Sequence, residues 1–162
     1  MGLSRYRRGV GAVLFNCEGL VFVGRRIDTP TRAWQLPQGG IKKSEVPAQA
    51  VMRELLEETG TNQAEILGEA SRWLSYDLPE HLIGRVWNGK YVGQRQLWFA
   101  LRFLGDDRDI DISADGKPEF DAWRWVRFDD IPSLVVPFKR SLYAQIVQEF
   151  EPLSCALNGL NG

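Results

Sequence analysis

Apolar residues recur along this chain with two different periods. VGAVLF (10–15) and LVFVGRR (20–26) are dense in Val, Leu and Phe and are separated by NCEG. That is a hairpin pattern, with Gly19 available for a positive φ. AWQLP (33–37) predicts a short strand stopped by Pro37, and QGG supplies a turn after it. AEILGEASRWLSYDLP (64–79) mixes strand-like pieces with turns, while QRQLWFALRFL (94–104) predicts a strong strand with alternating polar residues at its start. DAWRWVRF (121–128) alternates aromatic with charged residues, as a strand with one buried face does, so Trp123 and Trp125 read as packing residues. Helical spacing appears twice. One helix follows QGG, with Ser44 as N-cap, Pro47 in the first turn and Gly60 as C-cap. The other is FKRSLYAQIVQEF (138–150), with apolar residues at 138, 142, 143, 146, 147 and 150. Strands interleaved with two main helices predict a single α+β or mixed α/β domain over 1–151, with a loose tail over 152–162.

The first helix carries an unusual charge pattern. Projected at 100° per residue, Ala48, Val51, Met52, Leu55 and Leu56 form an apolar packing side. Glu54, Glu57 and Glu58 fall roughly opposite, after the small Ala50, and Arg53 stands four residues before Glu57, where it can pair with that carboxylate. Residues three and four apart on a helix lie about 5–6 Å apart at Cβ, so three carboxylates placed this way repel one another. A divalent cation relieves that repulsion: Mg²⁺ and Mn²⁺ take hard oxygen ligands and commonly bind carboxylates together with substrate phosphates. Such an ion polarises a phosphoryl oxygen and generates a nucleophile near neutral pH. The helix face therefore points to metal-assisted hydrolysis of a phosphate compound.

Composition narrows the setting. The chain has 162 residues, 44% of them apolar and 25% charged, enough for one domain with a sizeable core. A net charge of −1 excludes a wholesale nucleic-acid coat. Local basic groups remain at Arg5, Arg7 and Arg8, at Arg25 and Arg26, and at Lys42 and Lys43, sufficient for a positive cleft. No apolar run reaches the length of a membrane span, and the polar N-terminus has no signal-peptide core. Cys17 and Cys155 fit neither a zinc spacing nor a disulfide framework, which suits free thiols in a reducing cytoplasm.

Gly39, Glu45 and the run Arg53-Glu54-Leu55-Leu56-Glu57-Glu58-Thr59-Gly60 together resemble the Nudix box, the signature of the Nudix hydrolases. Thr61 stands where that family usually has an aliphatic residue. The resemblance implies an α/β/α sandwich, with a mixed sheet packed against the Nudix-box helix and a C-terminal helix. It implies Mg²⁺- or Mn²⁺-dependent cleavage of a nucleoside diphosphate linked to another moiety, with more than one ion when substrate is bound. By that pattern Glu54, Glu57 and Glu58 are metal ligands, and Gly39 and Gly40 let the backbone approach metal and phosphate. Glu45, Arg53 and Gly60 are structural. Further segments, YRRGVGAVLFN, RAWQLPQGGI, RWLSYDLP, VGQRQLWFALRF, PEFDAWRWV and VVPFKRSLY, resemble the RNA pyrophosphohydrolases and (di)nucleoside polyphosphate hydrolases of that family. This implies that Glu119 completes the metal site and helps activate water. It also implies phosphate contacts by Arg7, Arg26, Gln38, Tyr76 and Lys139, with Phe138 stacked on a base. The substrate is then an RNA 5′ end, losing pyrophosphate, or a dinucleoside polyphosphate split asymmetrically to ATP and AMP. A cytoplasmic enzyme with no membrane association and no stable protein partner follows.

Two other features read as structural. The loop from Asp111, with Ser113, Asp115 and Gly116, imitates a calcium loop but has Ala122 at its twelfth position and is interrupted by Pro118. His81 stands alone and reads as a surface residue.

Overall fold

β1 (Tyr6–Phe15) is the axis of the architecture. The structure is a computed structural model that describes residues 5–29 and 31–160. Among those residues eight strands form one mixed sheet, whose main path runs β3 (Trp34–Gln35), β2 (Val21–Arg26), β1, β7 (Gly93–Phe103), β5 (Ala64–Glu69). β4 (Gln38–Gly40) pairs with β1, β6 (Leu74–Asp77) with β7, and β8 (Phe120–Val126) with β2. The β1–β7 pair is parallel and unbroken from Tyr6↔Gly93 to Phe15↔Arg102, inside an otherwise antiparallel set.

The predicted hairpin forms between β1 and β2. Gly19 has φ 76°, and the Asn16 side chain accepts from the amides of Glu18 and Leu20. The QGG segment is not the predicted turn. Gln38–Gly40 is β4, paired antiparallel with Gly9–Gly11, because two glycines in each segment let the backbones approach.

Strand alternation divides the core into two layers. Val10, Ala12 and Leu14 face α1 (Pro47–Thr59), with Leu97, Phe99 and Leu101 beside them. Val13 and Phe15 face the other way, with Trp98, towards α2 (Ile131–Leu134) and α3 (Arg140–Leu160). Trp123 and Trp125 pack around Phe22, at centroid distances of 5.7 and 6.2 Å.

α1 departs from the sequence projection in two ways. Its N-cap is Val46, whose amide donates to the Gln49 side chain, while Ser44 sits before it at φ 68°. Its buried residues are Ala50, Val51, Leu55, Glu58 and Thr59, whereas Ala48 and Leu56 are exposed. The helix is rolled so that Glu58 points into the protein, where the backbone of β4 supplies it with a hydrogen bond. Gly60 closes the helix at φ 79°, its amide donating to Leu56.

The tail is also different from expectation. α3 runs through Pro152 to Leu160, because Leu153 and Leu157 continue its apolar stripe onto the core. Pro152 is accommodated within it; residues 161 and 162 of the expected loose tail lie outside the described residues. No helix among the described residues is long and apolar enough to cross a membrane.

Candidate active site

Arg53 organises the exposed end of the α1 face. Its Nε and Nη2 donate to the two carboxylate oxygens of Glu45 at 2.8 and 2.9 Å, a fork-on-fork pair, and Nη2 also donates to the Gly40 carbonyl at 2.8 Å. Nη1 donates to Glu54 at 2.8 Å and to both oxygens of Glu57 at 3.3 Å. One guanidinium thus ties the loop before α1 to two carboxylates on it. The Arg53 pair, with help from the Lys42 amide, holds the Glu45 carboxyl down at about 2.

Glu58 is the third carboxylate and has a different setting. It accepts from the Gln38 amide at 3.1 Å and is buried. Burial pushes its carboxyl well above the usual range, and the charges of Glu54 and Glu119 push it further. Burial likewise raises Glu54, against the pull of Arg53. Gly39 completes the cradle, since a Cβ there would run into the Glu54 carboxylate. Glu119 is exposed at the start of β8, and its carbonyl accepts from the Ile27 amide.

Among the described residues, no three acidic, histidine or cysteine side chains converge as a ready metal-ligand set. Arg53 lies between Glu54 and Glu57, and Glu58 is turned to Gln38. The donor chemistry nevertheless fits a hard divalent cation. Glu58 is a buried carboxylate with one backbone donor, destabilised by two neighbouring negative charges, and a cation offsets both penalties.

On the opposite face of the sheet lies a second polar cluster. Arg26 forks onto Asp28 through Nε at 2.8 Å and Nη2 at 2.6 Å, and its Nη1 donates to the Gln35 side chain at 3.2 Å. Lys139 Nζ donates to the same Gln35 oxygen at 3.2 Å and stands 5.1 Å from the Tyr76 ring centre. Burial, with the Arg26 charge, lowers the Lys139 ammonium to about 7. Tyr76 accepts from Gln94 at 2.8 Å, which leaves its own hydroxyl proton free to donate, and burial raises it to about 12. Phe138 is half-buried against Tyr76, with centroids 5.9 Å apart.

Gln94 and Gln96 join the clusters. Gln96 donates to the Gln38 side chain at 2.6 Å and accepts from Trp98 at 3.2 Å, while Gln94 accepts from Arg7 at 3.3 Å. The structure therefore brings Arg7, Gln38, Tyr76, Arg26, Phe138 and Lys139 into one chain of contacts, with the Gln38 backbone leading to Glu58. Gly60, behind the far end of α1, is remote from this chain and packs against Asp111. Sequence reasoning missed Gln35, Gln94 and Gln96. The available signal was QRQ opening an apolar strand: inward-facing amides on a central strand must have buried partners. A cavity of about 610 Å³ opens on the α1 side, lined by Arg7, Arg8, Lys42, Arg53, Glu54 and Glu57 among others.

The NUDIX domain family model matches residues 5–146. This chain belongs to the Nudix family. An RNA pyrophosphohydrolase of Rhodospirillum rubrum is 57% identical over 144 residues, covering 89% of this chain and 86% of that protein. An RNA pyrophosphohydrolase of Rickettsia typhi is 51% identical over 148 residues, covering 91% of each. Among solved structures, the E. coli dihydroneopterin triphosphate pyrophosphohydrolase superposes with a TM-score of 0.68 at 23% identity, over 88% of this chain and 97% of that one. A C. elegans Ap4A hydrolase does so with 0.61 at 17% identity, over 93% and 98%. The α/β/α arrangement described above is thus the Nudix fold, and α1 with the loop before it is its Nudix box. The remaining sequence-derived features take ordinary places in it. Asp111 binds the amide and hydroxyl of Ser113 in an exposed turn, His81 is exposed, and both cysteines are exposed and free.

Proposed function

We propose that this chain is a metal-dependent phosphoanhydride hydrolase that removes pyrophosphate from 5′-triphosphorylated RNA. The observation that carries this reading is the juxtaposition, through Gln38 and Glu58, of a carboxylate face with the half-buried Arg26 and the buried Lys139. The identity of 51–57% to RNA pyrophosphohydrolases over most of the chain supports the RNA 5′ end as substrate.

Glu54, Glu57 and Glu58, with Glu119 and the Gly39 backbone, would hold Mg²⁺ or Mn²⁺. Bound there, the ion supplies a polarised phosphoryl oxygen and an activated water. Arg53 orients Glu54 and Glu57 and must release part of its hold as they turn to the ion. Arg7, Arg26 and Lys139 face the polyphosphate, and Gln38 and Tyr76 donate hydrogen bonds to it. Phe138 offers its exposed side to the base. One water is consumed, the bridge between the α and β phosphates breaks, and pyrophosphate leaves a 5′-monophosphate end. Lys139 acts as a proton reservoir: near neutral pH it takes up a proton when the anionic phosphate arrives. The exposed free thiols suit a reducing, cytoplasmic setting.

The test is pyrophosphate release from a triphosphorylated oligoribonucleotide with added Mg²⁺ or Mn²⁺, for wild type and Glu57→Gln. Loss of two to three orders of magnitude is expected, the scale of removing one electrostatic group from an active site. Turnover at the wild-type rate by the variant would sink the metal assignment.

A further inference from the structure

Arg8 and Arg95 are direct neighbours across the parallel β1–β7 pair. Both guanidinium carbons lie 5.1 Å from the centre of the same indole, Trp73, which is half-buried against the α1-side core. Among the described residues neither arginine has a carboxylate within ion-pair distance, whereas seven of the thirteen other arginines do. Two like charges share one ring, and an exposed cation–π contact offsets only about 0.5–1 kcal/mol each. A structural role does not require this arrangement, because one arginine suffices to cover the ring.

Position gives the cluster its meaning. Arg8 also lines the cavity that holds Glu54, Glu57 and Lys42, so a basic track leads out of that cavity, past Lys42 and Arg8, to Trp73 and Arg95. The track lies on the α1 side of the sheet, whereas Arg26, Tyr76 and Lys139 lie on the α3 side. Arg95 is not part of the cavity lining, so a small nucleotide held there does not reach Arg95. A longer polyanion does.

We propose that Arg8 and Arg95, which share the Trp73 ring, bind backbone phosphates of the RNA strand downstream of its 5′ end. Both guanidinium groups already lie over the indole, so the track offers phosphate-binding charge, and recognition by it is independent of sequence. This inference rests on the RNA reading above. It adds that the enzyme favours long over short triphosphorylated substrates, and that the preference resides in two arginines outside the α3-side cluster.

The experiment pairs turnover with binding. kcat/KM is measured for a triphosphorylated dinucleotide and a triphosphorylated decamer of RNA, with wild type, Arg95→Gln and Arg95→Lys. Affinity for a fluorescent 5′-monophosphorylated decamer is measured in chelator by anisotropy, adding the Arg8→Gln/Arg95→Gln double variant. We expect Arg95→Gln to lower decamer kcat/KM by roughly three- to tenfold and to shrink the salt slope of decamer binding by about 0.7, the value for one single-strand phosphate contact. Arg95→Lys restores most of both, the double variant binds the decamer more weakly still, and the dinucleotide is unaffected by Arg95→Gln. Equal losses on both lengths, or unchanged decamer affinity in the double variant, would overturn the track. Absence of wild-type turnover on both RNAs would instead overturn the proposed activity, while the anisotropy comparison still decides whether the track binds RNA.

Discussion

Burial dominates the titration of Glu58, Tyr76 and Lys139, whereas Glu45 answers to its Arg53 partner. Lys139 is the clearest case. Its folded-state ammonium titrates near 7, against 10.5 for a free lysine. Between those values the unfolded chain carries a proton that the folded chain lacks, so folding stability rises with pH across that window, by up to about 1.4 kcal/mol per pH unit. Urea midpoints at pH 7 and pH 9 should therefore increase more for wild type than for Lys139→Met, which removes the titration. The same group predicts net proton uptake on phosphate binding near neutral pH, seen calorimetrically as a dependence of binding enthalpy on the buffer and absent in Lys139→Met. Gly39 makes a steric prediction. An alanine methyl there collides with Glu54, so Gly39→Ala should lower Mg²⁺-dependent turnover by about tenfold to a hundredfold, the range for disturbing groups that support a metal site. Its melting temperature should fall by only a few degrees, because β4 is a short strand beside a flexible carboxylate.

Elements carry the contrast between what was readable and what was not. The end of α3 tests it directly. Leu157 is buried against the core on the turn after Pro152. Leu157→Ala should cost about 2–3 kcal/mol in urea denaturation, towards the lower end for leucine truncations because the site is near a helix end. A loose tail would give no change. The sequence reading stopped the helix at Pro152 because proline lacks the amide for the ladder, yet packing of Leu153 and Leu157 outweighs that loss. Likewise, the α1 box was legible as a motif, and its rotation was not. Helix projection sorts residues by hydropathy, so it placed Glu58 outside, while the β4 backbone amide makes an inward carboxylate tolerable. QGG looked like a turn from its glycines and forms a strand because β1 offers Gly9 and Gly11 opposite. Glu54, Glu57 and Glu58 stood out from the helix pattern itself, whereas Arg7, Arg26, Lys139 and Glu119 came forward only through the family resemblance. The glutamine network was not, since amides carry no charge pattern to follow.

At the scale of the whole molecule, the sheet separates two polar clusters, and the β4 backbone links them. Carboxylates gather on the α1 side and the basic groups Arg26 and Lys139 on the α3 side, with β4 and Glu58 between them. A comparison of kcat/KM for triphosphorylated RNA and diadenosine tetraphosphate follows from this layout. Both present the same phosphates to Arg26 and Lys139, but only RNA extends along Arg8 and Arg95, so we expect RNA to be preferred by about tenfold or more at low salt, with the margin narrowing as salt rises. The parallel register of β1 with β7 also has a temporal consequence. Arg7 and its partner Gln94 are separated by 87 residues of chain. Closing so long a loop comes late in folding, and non-local strand pairing is slow. During synthesis the carboxylate helix leaves the ribosome well before the strand that connects it to the cations exists. The growing chain is therefore catalytically silent at least until β7 has docked, and it still lacks β8 and the later residues Glu119 and Lys139 at that point.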